Sequence, residues 1–158
     1  MNTLIVTPER ALSKLMSYCS KMERSEFDVR KKLQQWAISA NESKKIIKRL
    51  EDDGFISSDR YVSAYIRGKF LYNKWGKIKI RYNLLQKGFK DSAITKSMDA
   101  FFETVDYKQT IEKELQKKRS QLKCDDEYEL KNKLLQFAQG RGYEMEVSLS
   151  CVENIIKK

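Results

Sequence analysis

Apolar positions along this chain recur three or four residues apart, which is the spacing of one face of an α-helix. One apolar–basic pattern occurs in residues 29–33, 80–84 and 130–134, each with an apolar residue at its first and fifth positions. These segments start 51 and then 50 residues apart in a sequence of 158 residues. Because a fixed period of this length is typical of repeated structural units, the pattern predicts three copies of one helical unit.

Signals for helix ends divide the first copy into three helices. Residues 7–9 are Thr-Pro-Glu, an order that favours a capping residue followed by the first turn of a helix. Ser25 with Asp28 three residues later is an acidic variant of the capping box, which predicts the start of a second helix. Gly54 follows the apolar positions of a third helix and is suited to end it.

The same division is found in the other two copies. In the second copy, Ser58 or Asp59 is expected to cap the first helix, Gly76 to open the next helix and Gly88 to end it. In the third copy, residues 140–142 (Gly-Arg-Gly) predict a turn before a last helix.

These signals together predict an all-α fold of three tandem three-helix repeats that form an elongated, curved body. The composition agrees, because good helix formers dominate and the chain has only one proline and six glycines. The predicted boundaries place repeat one at residues 1–54, repeat two at residues 55–104 and repeat three at residues 105–158.

The net charge of +10 is distributed unevenly over the predicted repeats. Repeat one has eleven basic and eight acidic side chains, repeat two has ten and four, and repeat three has eleven and ten. More than half of the excess therefore belongs to repeat two. A basic excess of this size favours a polyanionic partner or an acidic protein surface, and carries no information about the fold.

Within repeat two, the run from Arg60 to Lys90 contains nine basic side chains, seven aromatic ones and no acidic one. Basic side chains can neutralise phosphates, and aromatic rings can stack on unpaired bases. An ordinary solvated helix face mixes the two signs of charge, so this run is interpreted as a binding surface. The aromatic residues at helical spacing, Tyr61, Tyr65, Tyr82 and Phe89, are expected to lie mostly in the core. The candidate partner- or DNA-binding residues are Arg60, Arg67, Lys69, Lys74, Lys77, Lys79, Arg81 and Lys87.

Catalysis has little support in the sequence. The chain has no histidine, which excludes histidine-dependent triads and zinc sites with imidazole ligands. Cys19, Cys124 and Cys151 are far apart and would lack a fourth zinc ligand, so we interpret them as buried apolar side chains. No glycine-rich loop suited to hold phosphate is present. We therefore expect no enzymatic activity, no metal and no cofactor.

The sequence also favours a cytoplasmic protein. The first ten residues lack the basic start and long apolar run of a signal peptide. No stretch approaches the ~20 apolar residues that a membrane helix needs, and an odd number of cysteines suits reduced thiols. We expect a monomer without a membrane partner.

Several motifs resemble those of the RecX family. Residues 54–67 follow the family pattern, in which a glycine–hydrophobic step leads to an acidic–Arg–aromatic start and then to Ala-Tyr-apolar-Arg. The next family element is matched by residues 75–76 (Trp-Gly), 80–84 and 86–88 (Gln-Lys-Gly). The resemblance extends from about residue 8 to residue 156 and is weakest in repeat three.

The sequence departs from the family pattern at two places. Residues 36–40 (Trp-Ala-Ile-Ser-Ala) stand where the family usually has a glycine after the second helix, and Val62 replaces a favoured alanine. These are local changes in a turn and in packing. They bear on how repeat one meets its neighbour rather than on membership of the family.

The resemblance implies a regulator of the RecA recombinase. RecX-like proteins bind RecA, mostly as a filament on single-stranded DNA, and limit its ATPase and strand-exchange activities in recombination, DNA repair and the SOS response. Two alternatives remain open from the residues alone. One is a sequence-independent nucleic-acid-binding module of helix-turn-helix type, and the other is a helical-repeat adaptor that binds only protein.

Overall fold

The structure, a computed structural model, describes residues 5–157, and throughout that range the regular secondary structure is helical. The predicted all-α fold is therefore confirmed. The helices that follow one another in the described range are α1 Pro8–Lys21, α2 Glu26–Gln35, α3 Ala40–Asp52, α4 Ser58–Leu71, α5 Lys77–Gln86, α6 Asp91–Phe102, α7 Tyr107–Gln121, α8 Glu127–Arg141 and α9 Met145–Lys157.

The chain forms two compact units, Met1–Ala64 and Tyr65–Lys158, and the division between them falls within α4. The first unit contains α1 to α3 and the start of α4, and the second contains the rest of α4 and the five helices that follow. Each predicted repeat contains three of the helices, as expected. The residue boundaries of the repeats stay a prediction.

The predicted helix ends of the first unit are found in the structure. Thr7 Oγ1 accepts a hydrogen bond from the Arg10 N–H at 3.3 Å. Ser25 and Asp28 form a reciprocal capping box, with N–H···O distances of 3.1 and 2.9 Å. Gly54 follows α3 with a φ of +77°, a left-handed conformation that suits glycine. The core consists of apolar side chains from α1 to α3 and the segment after α3: Ala11, Leu15, Cys19, Val29, Leu33, Ile46, Ile47, Leu50 and Ile56.

The second unit has two groups of core side chains. In the first, Phe70, which is 2% exposed, lies against Phe101, Phe102 and Tyr107 with ring centroids 5.1 to 5.8 Å apart. Most of these rings meet edge to face, the arrangement that aromatic quadrupoles favour. The second group packs α7, α8 and α9 together, through Ile111, Leu115, Leu130, Leu134, Ala138, Tyr143, Cys151, Val152 and Ile155.

Two predictions of helix ends need correction. The α4 capping oxygen belongs to Ser57, which accepts from the Arg60 N–H at 3.3 Å, rather than to Ser58 or Asp59. Residues 140–142 do not form a turn as a whole, because α8 continues through Arg141 and the chain turns at Gly142, whose φ is +86°. Gly140 has open space around it and remains helical, since a glycine inside a helix weakens the helix without ending it.

Candidate polyanion-binding surface

The second unit fixes the start of α5 by an unusual arrangement of helix ends. The first backbone N–H groups of a helix lack partners within the helix and need other acceptors. Here the Gly76 N–H donates to the Arg141 carbonyl at 2.6 Å, and the Ile78 N–H donates to the Gly142 carbonyl at 3.1 Å. The carbonyl end of α8 therefore caps the amino end of α5. The two helix dipoles meet with opposite partial charges, which is a favourable arrangement.

Glycine is required at this contact by space. A Cβ atom at position 76 would overlap the Gly142 carbonyl, and one at position 142 would overlap the backbone of Lys79. Gly76 was correctly expected to open α5, but its capping partners come from residues more than sixty positions later in the chain. The close approach of the two glycines thus joins the predicted repeats two and three inside the second unit.

Two tyrosines of the predicted repeat three hold the segment before α5 and the first residue of α5. Tyr143, 3% exposed, donates its hydroxyl to the Lys74 carbonyl at 2.6 Å, and burial raises its pKa to about 12. Tyr107 Oη accepts from the Lys77 N–H at 3.0 Å and donates to Glu144 Oε1 at 2.6 Å. The pKa of Tyr107 is raised above its ordinary value. Burial of the hydroxyl is the larger cause, and the hydrogen bond to Glu144 is the second. Both hydroxyls therefore remain protonated donors at neutral pH.

Near the contact between the start of α5 and the end of α8, three lysine side chains lie over two aromatic rings. Lys69 Nζ lies 5.4 Å from the centre of the Tyr65 ring and 4.7 Å from that of Trp75. Lys79 Nζ approaches Trp75 at 4.5 Å, and Lys87 Nζ approaches Tyr65 at 5.8 Å. Lys79 also donates to the Gly140 carbonyl at 3.2 Å. We call these five residues the lysine–aromatic cluster. Each contact is a cation–π interaction, which holds a cation in place without cancelling its charge.

The other predicted site residues have separate surroundings. Arg60 lies in the first unit, where it pairs with Glu23 at 3.0 Å and donates to the Gly54 carbonyl at 2.7 Å. Arg81 pairs with Asp91 at 2.6 Å and also donates to Thr95. These arginines therefore have carboxylate partners, and their charges are largely compensated.

Three further candidates complete the predicted set. Lys77 Nζ lies over the rings of Phe102 and Tyr107, at 4.8 and 4.6 Å from their centres. Arg67 is exposed on α4. Lys74 is half-buried in the segment before α5 and has a left-handed φ of +58°. Among the described residues, no carboxylate lies within salt-bridge distance of Lys69, Lys77, Lys79 or Lys87.

The aromatic residues of the basic run follow the expectation only in part. Tyr61, Tyr65 and Phe89 are partly buried, but Tyr82 was wrongly assigned to the core, since it is 62% exposed. It lies on the side of α5 opposite the buried Ile80 and Leu84, and spacing alone could not distinguish the two sides because both are apolar.

Sequence reasoning missed a second basic group in the predicted repeat three. Arg141 and Lys118 both lie over the Phe137 ring, at 4.8 and 5.4 Å from its centre, and beside Lys117 they line a cleft of about 290 Å³. Glu114 lies in the same cleft, 3.7 Å from Arg141. The signal was present in the sequence: residues 113–123 contain five basic side chains and one acidic one, although the repeat as a whole is nearly neutral.

Other kinds of site find no support in the described part of the chain. No group of three or more Cys, Asp or Glu side chains in residues 5–157 is arranged to hold a metal ion. Cys19 and Cys151 are buried, and burial raises the pKa of both thiols, which keeps them in the protonated, unreactive form. None of the described helices is long and apolar enough to cross a membrane.

Comparison with protein families gives two matches, both to RecX. The model of the second three-helix domain of RecX matches residues 59–98, and the model of the third three-helix domain matches residues 106–152. The first match contains the whole lysine–aromatic cluster.

Curated relatives and solved structures agree with these matches. The regulatory protein RecX of Clostridium acetobutylicum is 29% identical over 136 residues, covering 84% of this chain and 63% of that protein. The regulatory protein RecX of Streptococcus agalactiae serotype III is 29% identical over 141 residues, covering 87% and 52%. The chain therefore spans between about half and two thirds of the length of these relatives.

Two crystal structures share the fold. One, of a regulatory protein RecX, has a TM-score of 0.79 at 25% identity and covers 95% of this chain and 72% of its own. The other, of RecX from Lactobacillus salivarius, has a TM-score of 0.83 at 18% identity and covers 96% and 97%.

Proposed function

The chain belongs to the RecX family, since two RecX domain models together match more than half of its residues, and from that premise we propose that it regulates the RecA recombinase. In this proposal the protein binds the RecA filament on single-stranded DNA and limits its ATPase and strand-exchange activities. It would act in the cytoplasm, in recombination and DNA repair. It performs this role by binding, without catalysis and without a cofactor.

The observation that carries the proposal is the lysine–aromatic cluster. Its cations keep their charge, because their partners are aromatic rings and, for Lys79, also a backbone carbonyl, rather than carboxylates. Fixed cations on a rigid surface lose less side-chain entropy on binding than mobile ones do. A filament that carries DNA presents phosphates, and complementary charge favours both encounter and orientation on such a surface.

The direct test is a titration of this protein into the cognate recombinase turning over ATP on single-stranded DNA. We expect the ATPase rate to fall as the protein approaches a stoichiometric ratio to the recombinase, and the protein to sediment with the filaments. Unchanged ATPase at stoichiometric ratios, together with absence from the sedimented filaments, would reject the proposal.

A second candidate is a sequence-independent nucleic-acid-binding module that acts without a recombinase. It is favoured by two exposed rings near the basic residues, Tyr72 at 85% and Tyr82 at 62% exposure, because exposed rings can stack on unpaired bases. The two functions differ in their affinity for naked DNA. Tight binding of single-stranded DNA at ~50 mM salt that weakens steeply with added salt supports the second function, whereas weak binding under those conditions removes it.

A further inference from the structure

Helix α5 has a second apolar face that the core does not cover. Ile80 and Leu84 are fully buried, as expected for one face of a packed helix. Ile78, Tyr82 and Leu85 lie at positions i, i+4 and i+7, and therefore share the opposite face. They are 54%, 62% and 41% exposed. We call these three residues the outer face of α5. Scattered exposed apolar residues are ordinary, but a contiguous group marks an interaction surface.

The outer face continues beyond the helix. Ile78 lines a cleft of about 120 Å³ together with Leu135 of α8 and Met145 of α9. Met145 is itself 51% exposed, so the apolar surface extends from α5 to the start of α9. A cleft of this size can take one large apolar side chain. Side chains that fill such pockets contribute most to the affinity of many protein interfaces.

The fold holds this surface in place. The N–H groups of Gly76 and Ile78 are bound by the end of α8, so that α5, α8 and the cleft between them form one connected structure. A surface that is already in its binding geometry has less conformational freedom to lose when a partner docks.

The charges beside the outer face restrict the partner. The charged side chains of α5 are Lys77, Lys79 and Arg81, and all are basic. Arg81 is already paired with Asp91, so Lys77 and Lys79 are the cations left for a partner. A partner suited to this surface combines an apolar side chain for the cleft with carboxylates for these two lysines. Nucleic acid offers phosphates but no aliphatic side chain for a cleft lined by Ile78, Leu135 and Met145.

We propose that the outer face of α5 and its cleft dock a protein segment that carries one large apolar side chain beside acidic residues. The inference deepens the proposed function and rests on it, because it identifies the docked segment as part of the recombinase protein itself. The molecule then has two adjacent surfaces of different chemistry. The lysine–aromatic cluster is directed to phosphates, and the outer face is directed to protein.

The experiment measures binding of the recombinase without DNA, at ~0.1 M and at ~1 M salt, where the screening length falls to about 3 Å. The variant Ile78→Ser/Leu85→Ser removes the two aliphatic side chains of the outer face but leaves every charge and the exposed Tyr82 ring in place. Tyr128→Ser is the matched control, because Tyr128 is an aromatic residue that is 74% exposed on α8. Thermal unfolding of all three proteins verifies that each variant is folded.

We expect the double variant to bind the recombinase at least about tenfold more weakly at both salt concentrations, since apolar contacts are not screened. The control should bind like the unchanged protein. Equal binding by the double variant and the unchanged protein would overturn the inference while leaving the proposed function intact.

Three further outcomes are also decisive. If the unchanged protein binds neither the recombinase nor its filament, the proposed function and the inference both fail. If the unchanged protein dimerises and the double variant does not, with recombinase binding unaffected, the outer face joins two copies of this chain and the inference is overturned. The inference is also overturned if the double variant loses affinity for naked single-stranded DNA and keeps its affinity for the recombinase, because the outer face then binds nucleic acid.

Discussion

The two units of the molecule differ in the balance of ion pairs and cation–π contacts around their basic side chains, although Lys14, Arg24 and Lys32 of the first unit also lie over aromatic rings. In the first unit, most of the paired cations lie one helical turn from a carboxylate, on exposed faces of α2 and α3. In the second unit, Lys69, Lys77, Lys79 and Lys87 lie over aromatic rings. The intrahelical ion pairs of the first unit are Arg30–Glu26, Lys45–Glu42, Lys48–Asp52 and Arg49–Asp53.

This difference separates charge that is compensated from charge that is available. An exposed ion pair contributes only about 0–1 kcal/mol to stability, but it cancels the local field. A cation–π contact of about 0.5–1 kcal/mol orients the ammonium group and leaves its charge for a partner. Predicted repeats one and two therefore have similar numbers of basic residues but differ in how much of that positive charge is available to a partner. The following predictions test that difference.

The largest effect is expected where the second unit depends on the approach of its two glycines. Gly142→Ala places a Cβ against the backbone of Lys79 and forces a left-handed conformation on alanine. We expect a loss of about 3 kcal/mol or more in the free energy of unfolding, from steric overlap and backbone strain together. Binding of polyanions should weaken too, because the same contact fixes α5 and Lys79. Denaturant unfolding monitored by circular dichroism measures the first effect.

Gly140→Ala is the matched control, two residues earlier in α8. Gly140 is helical and has no other atom near the position of a Cβ. Alanine is the better helix former, so stability should stay the same or rise by up to about 1 kcal/mol. A similar loss in both variants would show that α8 is sensitive to any substitution, and that the glycine contact has no special role.

The next effect concerns the charges themselves. Lys69→Gln/Lys79→Gln/Lys87→Gln removes three ring-bound cations, and Lys45→Gln/Lys48→Gln/Arg49→Gln removes three carboxylate-paired ones. We expect the first variant to lose about thirtyfold in filament affinity at low salt, which is about 2 kcal/mol. The slope of log affinity against log salt should fall by about 2 if all three lysines contact phosphates of single-stranded DNA.

The carboxylate-paired variant has the same nominal change in charge. Its filament affinity should change less than threefold, because carboxylates already compensate the three charges that are removed. Equal losses in both variants would mean that only net charge matters, and that the rings have no part in presenting the cations.

The sequence could predict the helices because their signals are local. The capping box at Ser25 and Asp28 depends on residues three positions apart, and so does the helix start at Thr7. The fifty-residue period also follows from the sequence alone, since each copy repeats its own apolar spacing. The sequence also contains the uneven distribution of charge within predicted repeat three. Counting charge over the whole repeat, which is nearly neutral, concealed the basic residues 113–123.

What could not be predicted depends on contacts between distant residues. The requirement for glycine at position 76 comes from Gly142, sixty-six positions later, and no local pattern indicates it. Helix α5 is apolar on two sides, so periodicity alone could not assign Ile80 to the core and Tyr82 to the surface. The assignment is made by the packing of α5 against the rest of the second unit.

Alkaline pH should act on the second unit through Tyr143. Burial raises the pKa of Tyr143 to about 12, from an ordinary value near 10. The unfolded chain therefore loses this proton first, and the contribution of Tyr143 to stability is complete below pH 10 and disappears as the pH rises to 12. Between about pH 9 and pH 11, this should reduce the free energy of unfolding by roughly 1.3 kcal/mol.

Tyr143→Phe isolates that contribution from those of Tyr107 and of the lysines. The variant should be less stable at neutral pH by about 1 kcal/mol, because the Lys74 carbonyl loses its donor. Its stability should then decline less than that of the unchanged protein between the two pH values, as measured by urea unfolding. Parallel curves for the two proteins would show that Tyr143 does not titrate as its burial predicts.

The smallest effect lies in the first unit, where the chain departs from the family pattern. Ala37 follows α2 with a φ of +54°, a left-handed conformation like that of Gly54, Gly88 and Gly142 after their own helices. This conformation costs alanine about 1 kcal/mol or more in conformational energy, and it costs glycine almost nothing. Glycine, however, increases the conformational entropy of the unfolded chain, which offsets part of that gain. Ala37→Gly should therefore stabilise the protein by about 0.5 kcal/mol. Ala64→Gly, in the interior of α4, should destabilise it by up to about 1 kcal/mol. Opposite signs for the same substitution would establish that the chain retains backbone strain after α2, where glycine follows α5 and α8.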